Sequence, residues 1–333
     1  MDSMIFNQVV PRIRVLETRL LDRAKLDRMI DSSSAQEALR VLQETEYSAY
    51  MSSVKRVEDY EVLLKEELKR VYKMLFDMTP VKDVVNILSL RYDYHNLKTI
   101  IKAHLMKKDL SYLFISVGSL DINKTINAIE NDNYRELRLA VREAIEKTLV
   151  EFNVSKDPQV IDVMLDKYMY SEMLQIAKSL DTKFITKYVK SSIDLTNIRT
   201  ILRAKKQNKN REFFNNVIID GGYLDRDRLS ALFTDSVENI PGKLSHTDYF
   251  EIIKIGIEAY SRAGEVNTLE KLSDDYLMKL IKEGKFVSFG PEPLISYLIA
   301  KETEIKVIRI VMVGKLNKVS PELIRERLRD IYV

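Results

Sequence analysis

The sequence has no cysteine and no tryptophan, three histidines, and only nine glycines and seven prolines in 333 residues. Without cysteine there is no disulfide framework, no thiolate metal site and no cysteine nucleophile, and a reducing compartment is permitted. With so few histidines, an imidazole metal centre needs an unusual arrangement. His95 and His104 are nine apart and do not share a helix face as an HExxH pair does, and His246 stands alone. Few glycines and prolines, with abundant Leu, Ile, Lys, Glu and Arg, favour long helices, because these residues lose little on entering a helix and rarely break one. The opening MDSMIFNQVVPRIRVLETRLL lacks the basic and apolar regions of a signal peptide. No stretch reaches the ~20 apolar residues that cross a bilayer. The two most apolar segments, EPLISYLIAKE and IKVIRIVMVGKL, are interrupted by charge. The net charge is only +3, from 53 basic and 50 acidic residues. That balance argues against a surface built throughout for nucleic acid.

What is present is a weak internal repeat. DYHNLKTIIKA (93–103), DLTNIRTILRA (194–204) and EIKVIRIVMVG (304–314) share one pattern. Each opens on an acid, Asp93, Asp194 or Glu304. Each then carries an aliphatic residue, a cation (Lys98, Arg199 or Arg309), two more apolar residues, and a small closing residue (Ala103, Ala204 or Gly314). The first two copies also share Asn96 with Asn197 and Thr99 with Thr200. A second landmark is a Leu-Asp step, in LLDRAKL (20–26), SLDINKTI (119–126) and YLDRDRL (223–229). A third pairs LDKYMYSEMLQIAK (165–178) with LEKLSDDYLMKLIK (269–282). All three recur at about a hundred residues, a period that marks a repeat architecture.

Each unit reads as helical. After Asp93 the apolar positions 97, 100, 101 and 105 lie on one helix face. The acid ahead of them is placed to cap a helix beginning there, where unpaired N–H groups and the macrodipole favour an anion. Residues 57–78, 130–152 and 321–333 show amphipathic spacing, and Ser34 stands three before Glu37 as in a capping box. Turn residues fall at Gly118, at Gly221-Gly222 and at Pro241-Gly242, and 283–293 reads as the clearest loop. The expectation is an all-α protein of three similar helical bundles, divided near 1–118, 119–221 and 222–333 with the terminal helices free to cross between repeats. Each bundle is long enough for its own core, and three like modules suit closure about a pseudo-threefold axis.

Candidate chemistry is sparse. The cluster in RYDYHNLKTIIKAHLMKK (91–108) has the residue types of a catalytic or metal site, but His95 becomes Thr196 and Lys306 in the other copies while the apolar positions persist. GSLDINKT (118–125) ends like a phosphate loop but lacks the glycines whose backbone N–H groups would cradle phosphate. The basic stretch 203–211 carries Arg203, Lys205, Lys206, Lys209 and Arg211. It reads as the solvated C-terminus of a helix, where cations oppose the dipole. Its functional reading is a patch for an acidic partner or lipid headgroups. No aromatic platform is interleaved for stacking on nucleic acid. No catalytic residue, cofactor site or metal site is assigned.

The segments PRIRVLETRLL, AQEALRVLQETEYSAY, RYDYHNLKTIIKA, SIDLTNIRTILRAK and IRERLRDIYV, in that order over nearly the whole chain, resemble the C subunit of the prokaryotic V-type and A-type ATPases, a relative of the d subunit of the eukaryotic V-ATPase. The resemblance implies a funnel of three helical domains at the cytoplasmic face of the membrane, peripheral to it. It implies a non-catalytic part that couples a rotating shaft of D-type and F-type subunits to a rotor ring of proteolipid subunits, with no small-molecule substrate and no cofactor. The alternative from another class is a helical-repeat adaptor that binds RNA or another extended partner through the 203–211 patch.

Overall fold

The computed structural model describes residues 2–333, and among them every regular element is helical, with no strand. The α-helices are, in order, α1 (Val9–Glu17), α2 (Arg23–Asp31), α3 (Ala35–Val41), α4 (Tyr60–Met78), α5 (Asp83–Met106), α6 (Ile122–Glu130), α7 (Leu139–Ser155) and α8 (Gln159–Leu180). They continue as α9 (Lys183–Lys206), α10 (Arg211–Val217), α11 (Arg226–Thr234), α12 (Ile240–Lys243), α13 (Phe250–Ala263), α14 (Asn267–Lys282), α15 (Glu292–Leu316) and α16 (Pro321–Arg327). The chain forms two compact units, one from the residues up to Val84 with His246–Val333, the other from Val85–Ser245.

In the first unit α15 is the central element, packed against α1, α2, α3, α4, α14 and α16. Pro291 precedes it and Pro293 lies in its first turn, where a missing N–H costs nothing. From Pro293 to Lys301 every residue is buried. Both segments that looked most membrane-like belong to this one helix. They are apolar because they are a core, and among the described residues no helix is long and apolar enough to cross a membrane. In the second unit α7 packs on α8 and α8 on α9, while α9 meets α10 and α11.

The structure corrects several local expectations. Asp93, Asp194 and Glu304 do not start helices. They lie near the middle of α5, α9 and α15, which begin at Asp83, Lys183 and Glu292. These long helices are buried on most sides, so their apolar positions are not confined to one stripe and periodicity gives no sharp onset. Residues 131–138 form turns, and helix resumes only at Leu139. The C-terminal helix stops at Arg327, and 328–333 run without regular structure. The loop near 283 opens with a short 3-10 turn, Glu283–Phe286. Ser34 does cap α3, its side chain accepting the Glu37 N–H at 3.2 Å. Glu37 completes the return bond to the Ser33 N–H, one residue further out than a capping box requires.

Candidate functional site

The two main sequence landmarks are bonded to each other, three times. The Asp93 carboxylate accepts the backbone N–H of Leu120 at 2.8 Å. Asp194 accepts the N–H of Leu224 at 3.1 Å and of Tyr223 at 3.0 Å. Glu304 accepts the N–H of Leu21 at 2.6 Å. In each case the leucine directly precedes an aspartate that caps the next helix. Asp22, Asp121 and Asp225 accept the N–H groups of Lys25, Lys124 and Arg228, opening α2, α6 and α11. The three long-helix acids therefore do serve helix N-termini, but those of a neighbouring helix. Because the leucine that Glu304 holds lies near the beginning of the chain, the third junction joins the two ends of the sequence.

The surroundings are matched position by position. Asn96 donates to the Ile115 carbonyl at 2.8 Å and accepts the Ile115 N–H at 2.9 Å. Asn197 makes the same pair with Ile219, at 2.8 and 3.0 Å. An asparagine side chain used this way replaces a peptide unit, satisfying a backbone donor and acceptor that would otherwise be buried unpaired. Val307 stands at that position in the third copy. Its partner would be Leu16, which lies inside α1 and has helical backbone bonds available instead. Each long helix ends alike. Lys107, Asn208 and Lys318 take the left-handed conformation at φ 52, 52 and 54°. The next N–H bonds back to the carbonyl of Ala103, Ala204 or Gly314, which is Schellman closure. So the small residues of the sequence pattern mark a helix C-terminus.

Glycine explains one further difference. A Cβ on Gly118 would lie 1.7 Å from Asp93 Oδ1, and one on Gly222 2.0 Å from Asp194 Oδ1. The short aspartates reach their leucine N–H only because the backbone two residues earlier comes in close. Glu304 is one methylene longer, and Arg19 occupies the corresponding place before Leu21.

Charge compensation differs among the copies. Glu304 also accepts from the Tyr47 hydroxyl at 2.8 Å and pairs with Lys301 at 2.7 Å. Lys301 lies 3.4 Å from Glu67, and Arg70 bonds Glu67 through Nε at 2.8 Å. Lys301 and Glu67 are 1% and 0% exposed at their side chains, so the ion group is buried at its centre and reaches solvent only through Arg70. Burial pulls the Lys301 ammonium down, yet Glu304, Tyr297 and Glu67 outweigh it and hold it above its ordinary value. Burial pushes the Tyr47 phenol well up, with Glu304 adding to the rise. In the second unit, burial raises Asp93 above its ordinary value, opposed by the Leu120 N–H, the Ser119 hydroxyl and Arg138. Arg138 stands 3.5 Å from Asp93 and also pairs with Glu172, which accepts from the Tyr94 hydroxyl at 3.0 Å. The sequence signal for the buried group was Lys301 followed three residues later by Glu304 inside an apolar run.

The repeated cations have separate partners. Lys98 pairs with Asp166 at 2.6 Å, and Arg309 with Glu61 at 2.6 Å. Arg199 bonds the Thr196 hydroxyl and the Leu195 carbonyl of its own helix. In the basic stretch, Arg203, Lys206, Lys209 and Arg211 are exposed. Lys205 turns inward, donating to the Asp235 carbonyl at 2.5 Å with its ammonium 5.3 Å from the Phe233 ring. Lys209 sits 4.9 Å from the Phe213 ring. The stretch thus joins the C-terminus of α9 to the first residue of α10, with Lys205 committed to packing. His95 meets the Leu113 carbonyl at 3.0 Å. Among the described residues no group of His, Asp and Glu is placed to hold a metal ion.

Comparison with known proteins gives the same answer along the whole chain. The family model for the ATP synthase (C/AC39) subunit matches residues 9–327. The C subunit of the V-type sodium ATPase of Enterococcus hirae is 30% identical over 329 residues, covering 99% of each chain. The C subunit of the A-type ATP synthase of Methanocaldococcus jannaschii is 26% identical over 350 residues, covering 98% of this chain and 87% of its own. With an all-helical frame, repeated acid junctions and a family match from end to end, this chain belongs to the ATP synthase (C/AC39) subunit family, the C subunits of V-type and A-type rotary ATPases.

Proposed function

We propose that this chain is the non-catalytic central-stalk subunit that couples the rotating shaft to the membrane rotor ring of a V/A-type rotary ATPase. The observation that carries the reading is the family match over residues 9–327, joined to relatives named as C subunits of such ATPases. Its partners on this reading are the D-type and F-type shaft subunits and the ring of proteolipid subunits. The chain comprises three repeats divided near residues 118 and 221, arranged about a pseudo-threefold axis as a funnel, with the first and last repeats interlocked by the Leu21–Glu304 bond. The local design suits a part under torque. Each long helix is tied sideways to the start of another helix by a buried acid, so load passes through short hydrogen bonds as well as through apolar contacts. Such ties are directional and resist shear, whereas apolar packing is non-directional.

The test is purification of the membrane complex with and without this chain. The ATP-hydrolysing head should hydrolyse ATP in both cases. The rotor ring should co-purify with the shaft subunits only when the chain is present, and ATP-driven ion movement should vanish without it. A ring that stays with the shaft in its absence contradicts the assignment.

A further inference from the structure

The threefold frame extends beyond the long helices, and there one copy departs from the other two. Sixteen residues after Asp194 and after Glu304 stand Asn210 and Ser320, which cap α10 and α16. Both short helices carry an acid in the first turn, Glu212 or Glu322. Both place a large apolar residue twenty positions after Asp194 or Glu304, namely Phe214 or Ile324, and these are 0% and 1% exposed. Phe214 stacks on Phe233 of α11 with ring centroids 4.5 Å apart. Ile324 fills the space over Gly314, where a Cβ would come within 2.6 Å of it. Each short helix thus plugs a niche between the end of a long helix and the Leu-Asp helix beside it.

The first copy has the niche without the plug. Asp109 stands sixteen residues after Asp93 and accepts the Ser111 N–H at 2.8 Å, as a cap would, but only the single 3-10 turn Ser111–Leu113 comes after it. The segment from Asn96 to its partner Ile115 is three residues shorter than that from Asn197 to Ile219, which removes the room for a helix. Leu113, at the plug position, is 39% exposed. A cavity of about 350 Å³ remains between α5 and α6, floored by Ile100, Phe114, Ile126 and Ile129. Its rim is cationic on the α5 side, with His104, Lys107 and Lys108, and acidic opposite, with Asp109 and Glu130. The side chains of Lys107 and Lys108 are exposed and make no ion pair among the described residues.

We propose that this niche is the socket for a short helix of a partner protein. That helix inserts one large apolar side chain where Phe214 and Ile324 insert in the sibling niches, and it presents an acidic residue to Lys107 and Lys108. The chain itself closes two equivalent niches with helices of this kind, which sets the shape of the occupant. The unpaired cations at the rim, next to the apolar floor, set its charge. A central apolar anchor in a preformed pocket with a polar rim is the arrangement that concentrates binding energy in few residues.

The experiment uses the full chain with labelled isoleucine methyl groups, and an end-blocked, helix-stapled peptide copying residues 210–219 with the change Arg211→Gln, so that Glu212 is its one charged side chain. Saturable shifts at Ile100, Ile126 and Ile129 are expected. A peptide with Ala in the place of Phe214 should bind at least about tenfold more weakly. The surface variant Lys107→Glu/Lys108→Glu should bind the original peptide at least about threefold more weakly at low salt. Lack of saturable shifts at millimolar peptide, or equal binding of the Ala peptide, overturns the proposal. Shifts confined to Ile201 and Ile218, beside the native α10, also count against it, because they report exchange with that helix. Sodium decanoate shifting the cavity methyls at lower concentration than the peptide would make the site an acyl-chain pocket and overturn the helix proposal.

Discussion

At Glu304 the acid that holds Leu21 is neutralised from within the core. Lys301 is buried beside it, Glu67 lies beyond, and Arg70 anchors Glu67 from the half-buried side. At Asp93 the acid that holds Leu120 has only a 44% exposed arginine, Arg138, to balance it, and otherwise depends on a backbone N–H and the Ser119 hydroxyl. The two junctions make one bond in two electrostatic settings. A buried ion group is costly to desolvate and adds little net stability while whole, but losing one member strands the others. A neutral-donor junction has less to lose from any single charge and depends instead on close backbone approach. The junction that joins the two ends of the sequence is therefore built around a buried cation, and the one at Asp93 around a close backbone approach at Gly118 with an arginine that solvent reaches.

The largest effect should come from Lys301→Met. It leaves Glu67 and Glu304 buried without their shared cation and should cost about 3–5 kcal/mol, read as a shift of the urea unfolding midpoint. Arg138→Met, at the 44% exposed cation shared by Asp93 and Glu172, should cost less, about 1–3 kcal/mol, because solvent reaches the arginine side of both pairs. If the two variants lose equal stability, the contrast between the junctions is wrong.

Backbone approach gives a smaller effect with the opposite preference. Gly118→Ala and Gly222→Ala each push a methyl group into a carboxylate and should cost about 1–3 kcal/mol. Arg19→Ala, at the matching place before Leu21, should stay within about 0.5 kcal/mol, since it loses only a surface ion pair with Glu46. Differential unfolding of the three variants checks this, and a tolerant Gly118 would show that Asp93 does not require the close approach.

The smallest effect is in pH. Burial raises Asp93 above its ordinary 3.8, so the folded chain takes up this proton more readily than the unfolded chain. Its contribution to folding is fully present below 3.8 and is lost as pH rises through the raised value. The stability of the unsubstituted chain relative to Asp93→Asn, which cannot titrate, should accordingly fall as pH increases over that window. In the other unit Asp274 is lowered overall, burial being outweighed by Lys306 and Arg329. Its contribution has the opposite sign, present above 3.8 and lost as pH falls through the lowered value. Comparing Asp93→Asn with Asp274→Asn by urea unfolding across acidic pH separates the two slopes.

Much of this arrangement was legible in the sequence, and the misreadings share a cause. Helix content followed from the scarcity of Gly and Pro, and the acid and Leu-Asp landmarks were visible as repeats. The sequence could not say that the landmarks touch, because one belongs to a long helix and the other lies about 27 to 30 residues further on or, for Glu304, at the far end of the chain. Asp93 looked like a helix start because a polar residue ahead of an apolar run is the usual mark of one. Here the helix was already ten residues old, and ILSLRY before the acid is as buried as the residues after it. The buried group of Lys301, Glu67 and Arg70 was legible only in part, for a related reason. In the sequence Lys301 and Glu304 only interrupt an apolar run with charge, and it is the packing of α4 on α15 that brings Glu67 beside them in the core.

The central claim is that one acid in each long helix holds the N–H of the leucine before a capped helix, three times over. Amide hydrogen exchange at Leu21, Leu120 and Leu224 tests it most directly. All three amides should be strongly protected, and Glu304→Ala, Asp93→Ala and Asp194→Ala should each deprotect its own leucine far more than the other two. A Leu21 amide that exchanges at the rate of an open loop in the unsubstituted chain, or three leucines indifferent to their acids, would contradict the account.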